Sequence, residues 1–250
     1  MQQQIVYQTP SGKYFDAFRQ MADGNHLLIG GATGCGKSTL LHGIIHTLLY
    51  SGPWAAQFIL IDPKMVELSE YQSVPHCVRY ANDHRSIVDA LCHTVRIMEA
   101  RLSTMNQRRE KSWTGPHLYV VIDELADLMT VSATRKACLP LLQRILQTGR
   151  AAGISVLAAT QTTVATVIPT TLKCNFADRV ALRTATAQDS RNIIAQAGAE
   201  CFPDPIRTGK ALCYWRHGAN LDLYRIPTYS AAEHERILTH WTNPRLCRVA

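Results

Sequence analysis

The chain has 250 residues, of which 46% are hydrophobic and 18% charged, so it can build one sizeable core, and we expect a single domain over residues 1–250. Its net charge of +7 fits a nucleic-acid partner, although other basic enzymes share it, and no stretch reaches the ~18 consecutive apolar residues of a membrane helix. Eight cysteines without a C-x-x-C pair, and an N-terminus without a secretory signal, argue against a disulfide-stapled secreted domain and predict a cytoplasmic protein with reduced thiols.

Short apolar runs alternate with longer amphipathic stretches, which is typical of a parallel sheet flanked by helices. The predicted strands of that sheet are, in chain order, 27–29, 58–61, 118–122, 155–159 and 179–182. The strand 118–122 is apolar throughout, so we expect it near the centre of the sheet with both faces covered. Two further strands, near 211–214 and 221–225, are expected to form an antiparallel edge.

Helices are predicted between these strands. The clearest one shows apolar residues at steps of three and four, namely Ile87, Leu91, Val95, Met98, Leu102 and Met105. A helix over 36–50 carries His42 and His46, and without cysteine or acidic partners nearby in the sequence this pair predicts a partly exposed helix face and not a zinc site. A helix over 139–148 requires Pro140 to lie in its first turn, and a last helix covers 231–241.

The strongest functional signal fits the pattern G-x-x-x-x-G-K-[ST] between a predicted strand and a predicted helix. Glycines there let backbone N–H groups converge on phosphate oxygens, and the helix N-terminus adds its partial positive charge. We expect Lys37 to reach the β- and γ-phosphates of ATP and Ser38 to coordinate Mg²⁺; a glycine-rich turn that binds nothing is the alternative. The predicted nucleotide-binding residues are Gly31, Ala32, Thr33, Gly34, Cys35, Gly36, Lys37, Ser38 and Thr39.

A second signal is the run 119–124, in which an apolar strand ends in two acids. Asp123 is placed to hold Mg²⁺, and Glu124 to polarise the water that attacks the γ-phosphate. Two exposed acids at a strand end are the alternative, but beside a phosphate-binding loop the pair favours nucleotide hydrolysis. Gln161 follows strand 155–159 and can sense the γ-phosphate or orient water, although a Thr-Gln pair also begins many ordinary loops.

In this order the motifs resemble those of FtsK-type translocases, within the group that includes conjugative coupling proteins and HerA-like helicases. The matching segments, beyond the phosphate-binding loop, include Ile-Asp-Pro-Lys at 61–64, Ile-Asp-Glu-Leu-Ala-Asp at 122–127, Gly-Arg-Ala-Ala-Gly-Ile at 149–154 and Ala-Thr-Gln at 159–161. The resemblance runs from about Ser11 to Tyr214. It implies an α/β fold of the RecA-like P-loop NTPase class, with a mainly parallel central sheet flanked by helices and a small antiparallel edge.

The resemblance also implies a homohexameric ring that threads double-stranded DNA, with each ATP at a subunit boundary. Arg150 stands where related motors place an arginine that reaches the neighbour's ATP, although a solvated arginine at a helix end is the ordinary interpretation; Arg179 and Arg191 are further candidates. The stretches 132–136 and 162–173 take the family's pore-loop positions, which makes Arg135, Lys136 and Lys173 candidates for DNA phosphate contacts, with solvated basic turns as the alternative.

The chain departs from the family pattern in two places. Thr162-Thr163 stand where Arg-Pro is usual, and the segment 201–210 replaces a Gly-Met-Gly-Asp run.

We also expect no membrane region or winged-helix reader in this chain. This favours a compact motor of a mobile element, in conjugation or segregation, with any membrane tether or relaxase or secretion partner outside the chain. An ATPase of a type VII-like protein secretion system is the main alternative; a slowly hydrolysing assembly module is a third, against which Lys37, Asp123 and Glu124 count.

Overall fold

The computed structural model describes residues 25–226 and 229–242 together with the short segments 6–8 and 14–16. Ten strands in these residues form one sheet, in the order β2-β1-β10-β9-β8-β3-β7-β6-β4-β5. The strands are β1 (Val6–Gln8), β2 (Tyr14–Asp16), β3 (Leu27–Gly30), β4 (Ala56–Ile61), β5 (Cys77–Ala81), β6 (His117–Ile122), β7 (Ile154–Thr160), β8 (Asp178–Ala181), β9 (Leu212–His217) and β10 (Asn220–Arg225).

Six neighbouring strands, from β8 through β3, β7, β6 and β4 to β5, pair in parallel, whereas β9, β10, β1 and β2 extend the sheet antiparallel. The central strand β3 places Leu27 opposite Leu157 of β7 and opposite Asp178 of β8. The predicted fold class is confirmed, including the antiparallel edge, and β6 lies inside the sheet with its residues 118–122 buried, as the apolar run predicted.

Helices cover both faces of this sheet. They are α1 (Lys37–Leu49), α2 (His84–Arg108), α3 (Leu125–Thr130), α4 (Ser132–Thr148), α5 (Thr170–Lys173), α6 (Ala187–Ile194), α7 (Pro205–Thr208) and α8 (Ala231–Thr242). Successive side chains of a strand point to opposite faces. Leu27 and Ile29 of β3 accordingly join the core cluster that contains α1 and borders α8, whereas Leu28 joins the cluster under α2 and α4. Burial on both faces explains why the strand sequences are apolar throughout.

Helix α4 corrects two predictions. It begins at Ser132 and not near Leu139, so the stretch 132–136 is its first turn and not a loop, and Pro140 lies in the helix interior. Proline lacks the N–H that bonds to the carbonyl four residues earlier, which disfavours an interior position. Here the helix buries Cys138, Leu142 and other apolar side chains against the sheet, and this burial offsets the lost hydrogen bond.

The two histidines of α1 also differ from their prediction. His42 is 7% exposed and His46 is fully buried, because segments distant in the sequence cover this face of α1. Strand β5 and helix α3 were not predicted, and β1 and β2 were missed as well. Within the described residues, no helix is long and apolar enough to cross a membrane, and the seven described cysteines are free thiols.

The turn before β7 is held by a buried arginine. Arg101 of α2 donates from Nη1 to the carbonyls of Ala152 and Gly153, at 3.0 and 2.9 Å, and its guanidinium lies 4.8 Å from the centroid of the Trp113 ring. Gly153 adopts φ of +65°, and a Cβ built on it would lie 2.7 Å from Cδ1 of Trp113. Only glycine therefore satisfies both the backbone conformation and the close approach of the indole.

Gly153→Ala and Gly218→Ala form a matched pair that separates these two requirements. Gly218 adopts φ of +58° in the β9–β10 turn, with nothing within 4 Å of a built Cβ. We expect Gly218→Ala to lower the free energy of unfolding by about 1–2 kcal/mol through backbone strain alone. Gly153→Ala should lose a further ~1–3 kcal/mol because the methyl group meets Trp113. Urea unfolding measures both; equal losses would contradict the packing role of Trp113.

Candidate functional site

The phosphate-binding loop joins the end of β3 to the first residue of α1. Gly34 and Gly36 have φ of +72° and +100°, a left-handed conformation that glycine adopts without strain. Gly36 is the N-cap of α1 and makes no side-chain cap, so the first N–H groups of the helix point into the loop. This is the geometry of an anion site at a helix N-terminus.

Lys37 closes the loop on itself. Its ammonium donates to the carbonyls of Gly31 and Ala32, at 2.9 and 2.8 Å. Burial lowers the pKa of Lys37, while the neighbouring Cys35, Glu124 and Asp123 oppose that shift. The ammonium thus lies partly buried in the centre of the loop. A phosphate oxygen that enters the loop can replace the two carbonyls as the acceptor of the lysine hydrogen bonds.

A cavity of about 410 Å³ opens beside this loop. Its lining residues are Thr33, Gly34, Gly36, Lys37, Ser38, Thr39, Lys64, Val66, Glu67, Asp123, Glu124 and Gln161. The structure therefore brings together most of the predicted nucleotide-binding residues with both predicted acids and the predicted glutamine. Cys35 instead points into the core and is 3% exposed.

Asp123 follows the last residue of β6, and its surroundings are acidic. Burial raises its pKa to about 7, and Asp62, Glu67 and Glu124 add to the rise against the opposing charge of Lys64. A cation beside this carboxylate would reverse that shift, because it compensates both the burial and the like charges. The donor set of carboxylate oxygens with the Ser38 hydroxyl nearby in the same cavity fits Mg²⁺, which prefers oxygen ligands.

Glu124 joins the ends of β6 and β7. Its side chain is 4% exposed and accepts from the backbone N–H of Gln161, 3.1 Å from both carboxylate oxygens, and from the Thr160 hydroxyl at 2.7 Å. It also caps α3 by accepting from the N–H of Ala126 at 3.3 Å. The Gln161 side chain accepts in turn from the Thr33 hydroxyl at 2.8 Å, which connects the end of β7 to the phosphate-binding loop.

Lys64 and Glu67 line the cavity but had no assigned role. Lys64 lies 3.4 Å from the Asp127 carboxylate and follows β4, one strand beyond β6 in the sheet. Because the carboxyl ends of parallel strands meet at one edge, a lysine three residues after strand 58–61 was a usable signal. Glu67, six residues beyond β4, carried no such signal of its own.

Arg150 lies at the amino ends of the parallel strands, whereas the cavity lies at their carboxyl ends. It precedes β7 whereas Gln161 follows it, and seven residues at about 3.3 Å each place the two ends about 20 Å apart. Its charge is also near His26, at the amino end of β3, whose pKa falls to about 4 through burial and, to a smaller extent, through Arg150. The exposed Arg150 therefore lies far from the cavity of its own chain.

The three candidate DNA contacts have different environments. Lys136 is exposed, and Arg135 donates from Nη1 to the carbonyl of Thr166 at 3.0 Å, which ties the start of α4 to the loop after β7. Lys173 is only 6% exposed, and its ammonium donates to the carbonyl of Thr163 at 2.9 Å. Lys173 thus supports that loop from inside, and its burial contradicts the predicted phosphate contact.

Comparisons with known proteins agree with this site. A model of the FtsK/SpoIIIE family matches residues 13–117. The chain is 36% identical over 234 residues to DNA translocase FtsK of Leptospira interrogans, which covers 85% of this chain and 24% of that protein. It is 39% identical over 197 residues to DNA translocase FtsK of Staphylococcus aureus, with 70% and 25% covered. The chain therefore spans about a quarter of the length of these relatives.

Two solved structures share the fold. The conjugation coupling protein TcpA of pCW3, in its monomer form with ATPγS, superposes with a TM-score of 0.77 at 23% identity, over 96% of this chain and 71% of that one. The cytoplasmic domain of the type VII secretion ATPase EccC of Thermomonospora curvata gives 0.72 at 22% identity, over 89% and 28%. These two likenesses show the shared fold. The family model and the relatives at 36% and 39% identity show that the chain belongs to the FtsK/SpoIIIE family.

Proposed function

We propose that this chain is a single ATP-hydrolysing motor domain that translocates double-stranded DNA in the cytoplasm, as a homohexameric ring. One observation carries the proposal: Lys37, Asp123 and Glu124 face one cavity in a chain that is 36–39% identical to DNA translocases. Protein secretion is the second candidate, because the chain shares its fold with the secretion ATPase EccC. At 22% identity that likeness supports the fold alone. A relaxase or membrane-anchoring partner outside this chain fits the conjugative relatives.

For hydrolysis, the phosphate-binding loop with Lys37 would hold the β- and γ-phosphates, and Ser38 and Asp123 would hold Mg²⁺, which supplies compensation of phosphate charge. Glu124 would orient the attacking water. A carboxylate offers about four acceptor sites, and here Gln161, Thr160 and Ala126 use three of them. Glu124 lines the cavity, and among the described residues its Oε2 accepts only the Gln161 N–H that it shares with Oε1. The three donors would therefore position Glu124 and leave Oε2 able to accept a water proton.

The position of Arg150 supports a ring. Since it lies about 20 Å from the cavity edge of its own β7, it can reach a nucleotide only across a subunit boundary. An arginine supplied by a neighbour stabilises charge that develops on the γ-phosphate in the transition state. Hydrolysis would then depend on assembly, which couples the chemical step to the ring that encloses the DNA.

The DNA grip is proposed for Arg135 and Lys136, at the start of α4. This turn and the loop after β7 follow the carboxyl ends of β6 and β7, so they lie at the same edge as the nucleotide cavity. A change in the contacts of Gln161 with nucleotide would move this loop and, through the Arg135–Thr166 hydrogen bond, the first turn of α4. Contacts to phosphate and not to bases are expected from these cations.

The nucleotide site is tested by two substitutions with different expected effects. Lys37→Ala should weaken ATP binding and abolish hydrolysis, because it removes the cation at the phosphates. Glu124→Gln should keep ATP binding and reduce turnover by at least about 100-fold, since it keeps the size of the side chain but loses the base. Fluorescent-nucleotide binding and phosphate release measure the two effects. Hydrolysis by Glu124→Gln at the wild-type rate would refute the role of Glu124.

The role of Arg150 is tested by mixing inactive subunits. Arg150→Ala alone should reduce hydrolysis by about 10³-fold. Mixing it with Glu124→Gln should recover activity, because some boundaries then pair an intact Glu124 with an intact neighbouring Arg150. Arg144→Ala is the matched control, an exposed arginine of α4, six residues before Arg150, that pairs with Glu99. Failure of all mixtures to recover activity, in rings confirmed by light scattering, would contradict action across the boundary.

DNA as the cargo is tested by a salt series. Duplex affinity, measured by fluorescence anisotropy, should fall with salt, and Arg135→Ala/Lys136→Ala should lower the log–log slope by about two. The control Arg108→Ala/Lys111→Ala removes two exposed charges at the other end of the sheet and should leave the slope unchanged. Duplex DNA should also raise the ATPase rate. If wild-type rings bind no duplex at low salt, the DNA pump fails and protein secretion becomes the favoured function.

A further inference from the structure

A second polar cluster lies against α1 and shares one residue, Glu67, with the lining of the nucleotide cavity. It brings together residues from three segments that are distant in the sequence, namely His42 and His46 of α1, Glu67, Glu70 and Tyr71 after β4, and His234 of α8. His46 and Tyr71 are fully buried, and the His42 and His234 side chains are 9% and 16% exposed. Three imidazoles and two carboxylates thus form one contact network, in which the imidazoles are largely buried and the side chains of Glu67 and Glu70 are partly open to solvent.

Three side chains in this cluster, His42, Glu70 and His234, are close enough together to hold a metal ion. His42 Nδ1 lies 3.6 Å from Oε1 of Glu70, and His234 Nε2 lies 2.8 Å from Oε2 of the same carboxylate. The three ligand atoms all lie within 4.8 Å of one another. Among the residues that the structure describes, the buried His234 Nε2 makes no hydrogen bond in spite of this short distance. Two ring nitrogens therefore converge on one carboxylate, and one of them is not satisfied there.

Each of the two converging histidines is oriented through its other nitrogen. His42 Nε2 lies 3.1 Å from the Glu67 carboxylate, and His234 Nδ1 lies 2.8 Å from Nε2 of His46. Histidines that bind metals almost always have such a partner, which sets the tautomer and the direction of the ring. The outer partners are thus already in place for both His42 and His234.

We propose that His42, Glu70 and His234 bind one zinc ion. Two imidazoles and one carboxylate are a usual ligand set for zinc, whereas Mg²⁺ prefers oxygen ligands. A tetrahedral zinc site with bonds of 2.0–2.2 Å sets its ligand atoms about 3.3–3.6 Å apart, so the three ligand atoms, which lie within 4.8 Å of one another, would close by at most about 1.5 Å through side-chain rotation. With three protein ligands, water completes the tetrahedron on the solvent side of Glu70.

The Tyr71 hydroxyl competes with this ion for His42 Nδ1. Its hydroxyl lies 2.6 Å from His42 Nδ1 and 3.2 Å from His46 Nε2. The hydroxyl proton bonds to His42 in the absence of a cation and must turn away when zinc binds there. The cluster therefore has a stable metal-free arrangement, and zinc replaces one hydrogen bond without leaving the site disordered.

The consequence of binding is structural. Helix α8 contains no fully buried residue and lies on the core through the partly buried Ile237, Leu238 and Trp241. Zinc would tie this weakly packed helix to α1, which begins at Lys37, and to the segment that carries Glu67 at the edge of the nucleotide cavity. The ion would clamp the C-terminal helix against the motor core and take no part in hydrolysis.

The test uses the full chain, freed of metal with a chelator and titrated with Zn²⁺ by calorimetry in excess Mg²⁺. Wild type should bind one equivalent tightly, whereas His234→Gln and Glu70→Gln should lose affinity by at least about 10-fold. The control His240→Gln changes an exposed histidine of the same helix and should bind as wild type does. Circular dichroism of the metal-free variants checks that each is folded.

A second measurement identifies the ligands, because the exposed Cys174 and Cys201 can also bind zinc. Co²⁺ in place of zinc should give a tetrahedral spectrum without a thiolate charge-transfer band. Zinc should also slow hydrogen exchange in α8 of wild type but not of His234→Gln. A thiolate band, the absence of a tight equivalent in wild type, or unchanged affinity in both Gln variants would each overturn the proposal.

Discussion

The parallel pairing of β3, β7, β6 and β4 is the constraint on which the nucleotide cavity depends. Each of these strands delivers a residue of the cavity lining just beyond its carboxyl end, so the ladder that pairs Gly30 with Thr160, and Ala158 with Ile122, also sets the spacing of the proposed catalytic groups. A slip by one residue would turn every side chain to the other face and separate Glu124 from Gln161. The N–H of Gln161 donates to both carboxylate oxygens of Glu124, which stabilises that register beside the cavity.

At the carboxyl ends of the parallel strands, negative charge exceeds positive charge, and a bound cation would compensate the excess. Asp62 is fully buried with one oxygen bonded to the Leu68 N–H, and it lies near enough to Asp123 to raise the pKa of that carboxyl. Lys64 and Lys37 compensate only part of this negative charge, since Lys64 also pairs with Asp127 and Lys37 donates to backbone carbonyls. The folded chain therefore carries a local acidity that Mg²⁺, brought with nucleotide, would neutralise.

Most of the fold and the centre of the site could be predicted because their signals are local. The glycine pattern before Lys37 and the apolar run before Asp123 each report their own strand and turn. The errors arise where distant segments decide. His42 and His46 carry no sign in their own helix that α8 will cover them, and Lys173 is buried by a loop ten residues earlier in the chain. Pro140 misplaced the start of α4, since local propensity disfavours what tertiary burial permits.

The position of β3 in the sheet also determines when the site can form during synthesis. Its partners are β7 and β8, and Leu27 must wait for Leu157 and Asp178 to be translated before it has a neighbour on either side. At roughly 5–20 residues per second the ribosome takes several seconds or more to add those ~130–150 residues. During that interval an apolar strand is unpaired, while β4 and β6 can already associate. The phosphate-binding loop is thus encoded early but reaches its final place in the sheet late, which leaves the nascent chain without a formed cavity, and dependent on protection from aggregation, until most of the chain has emerged.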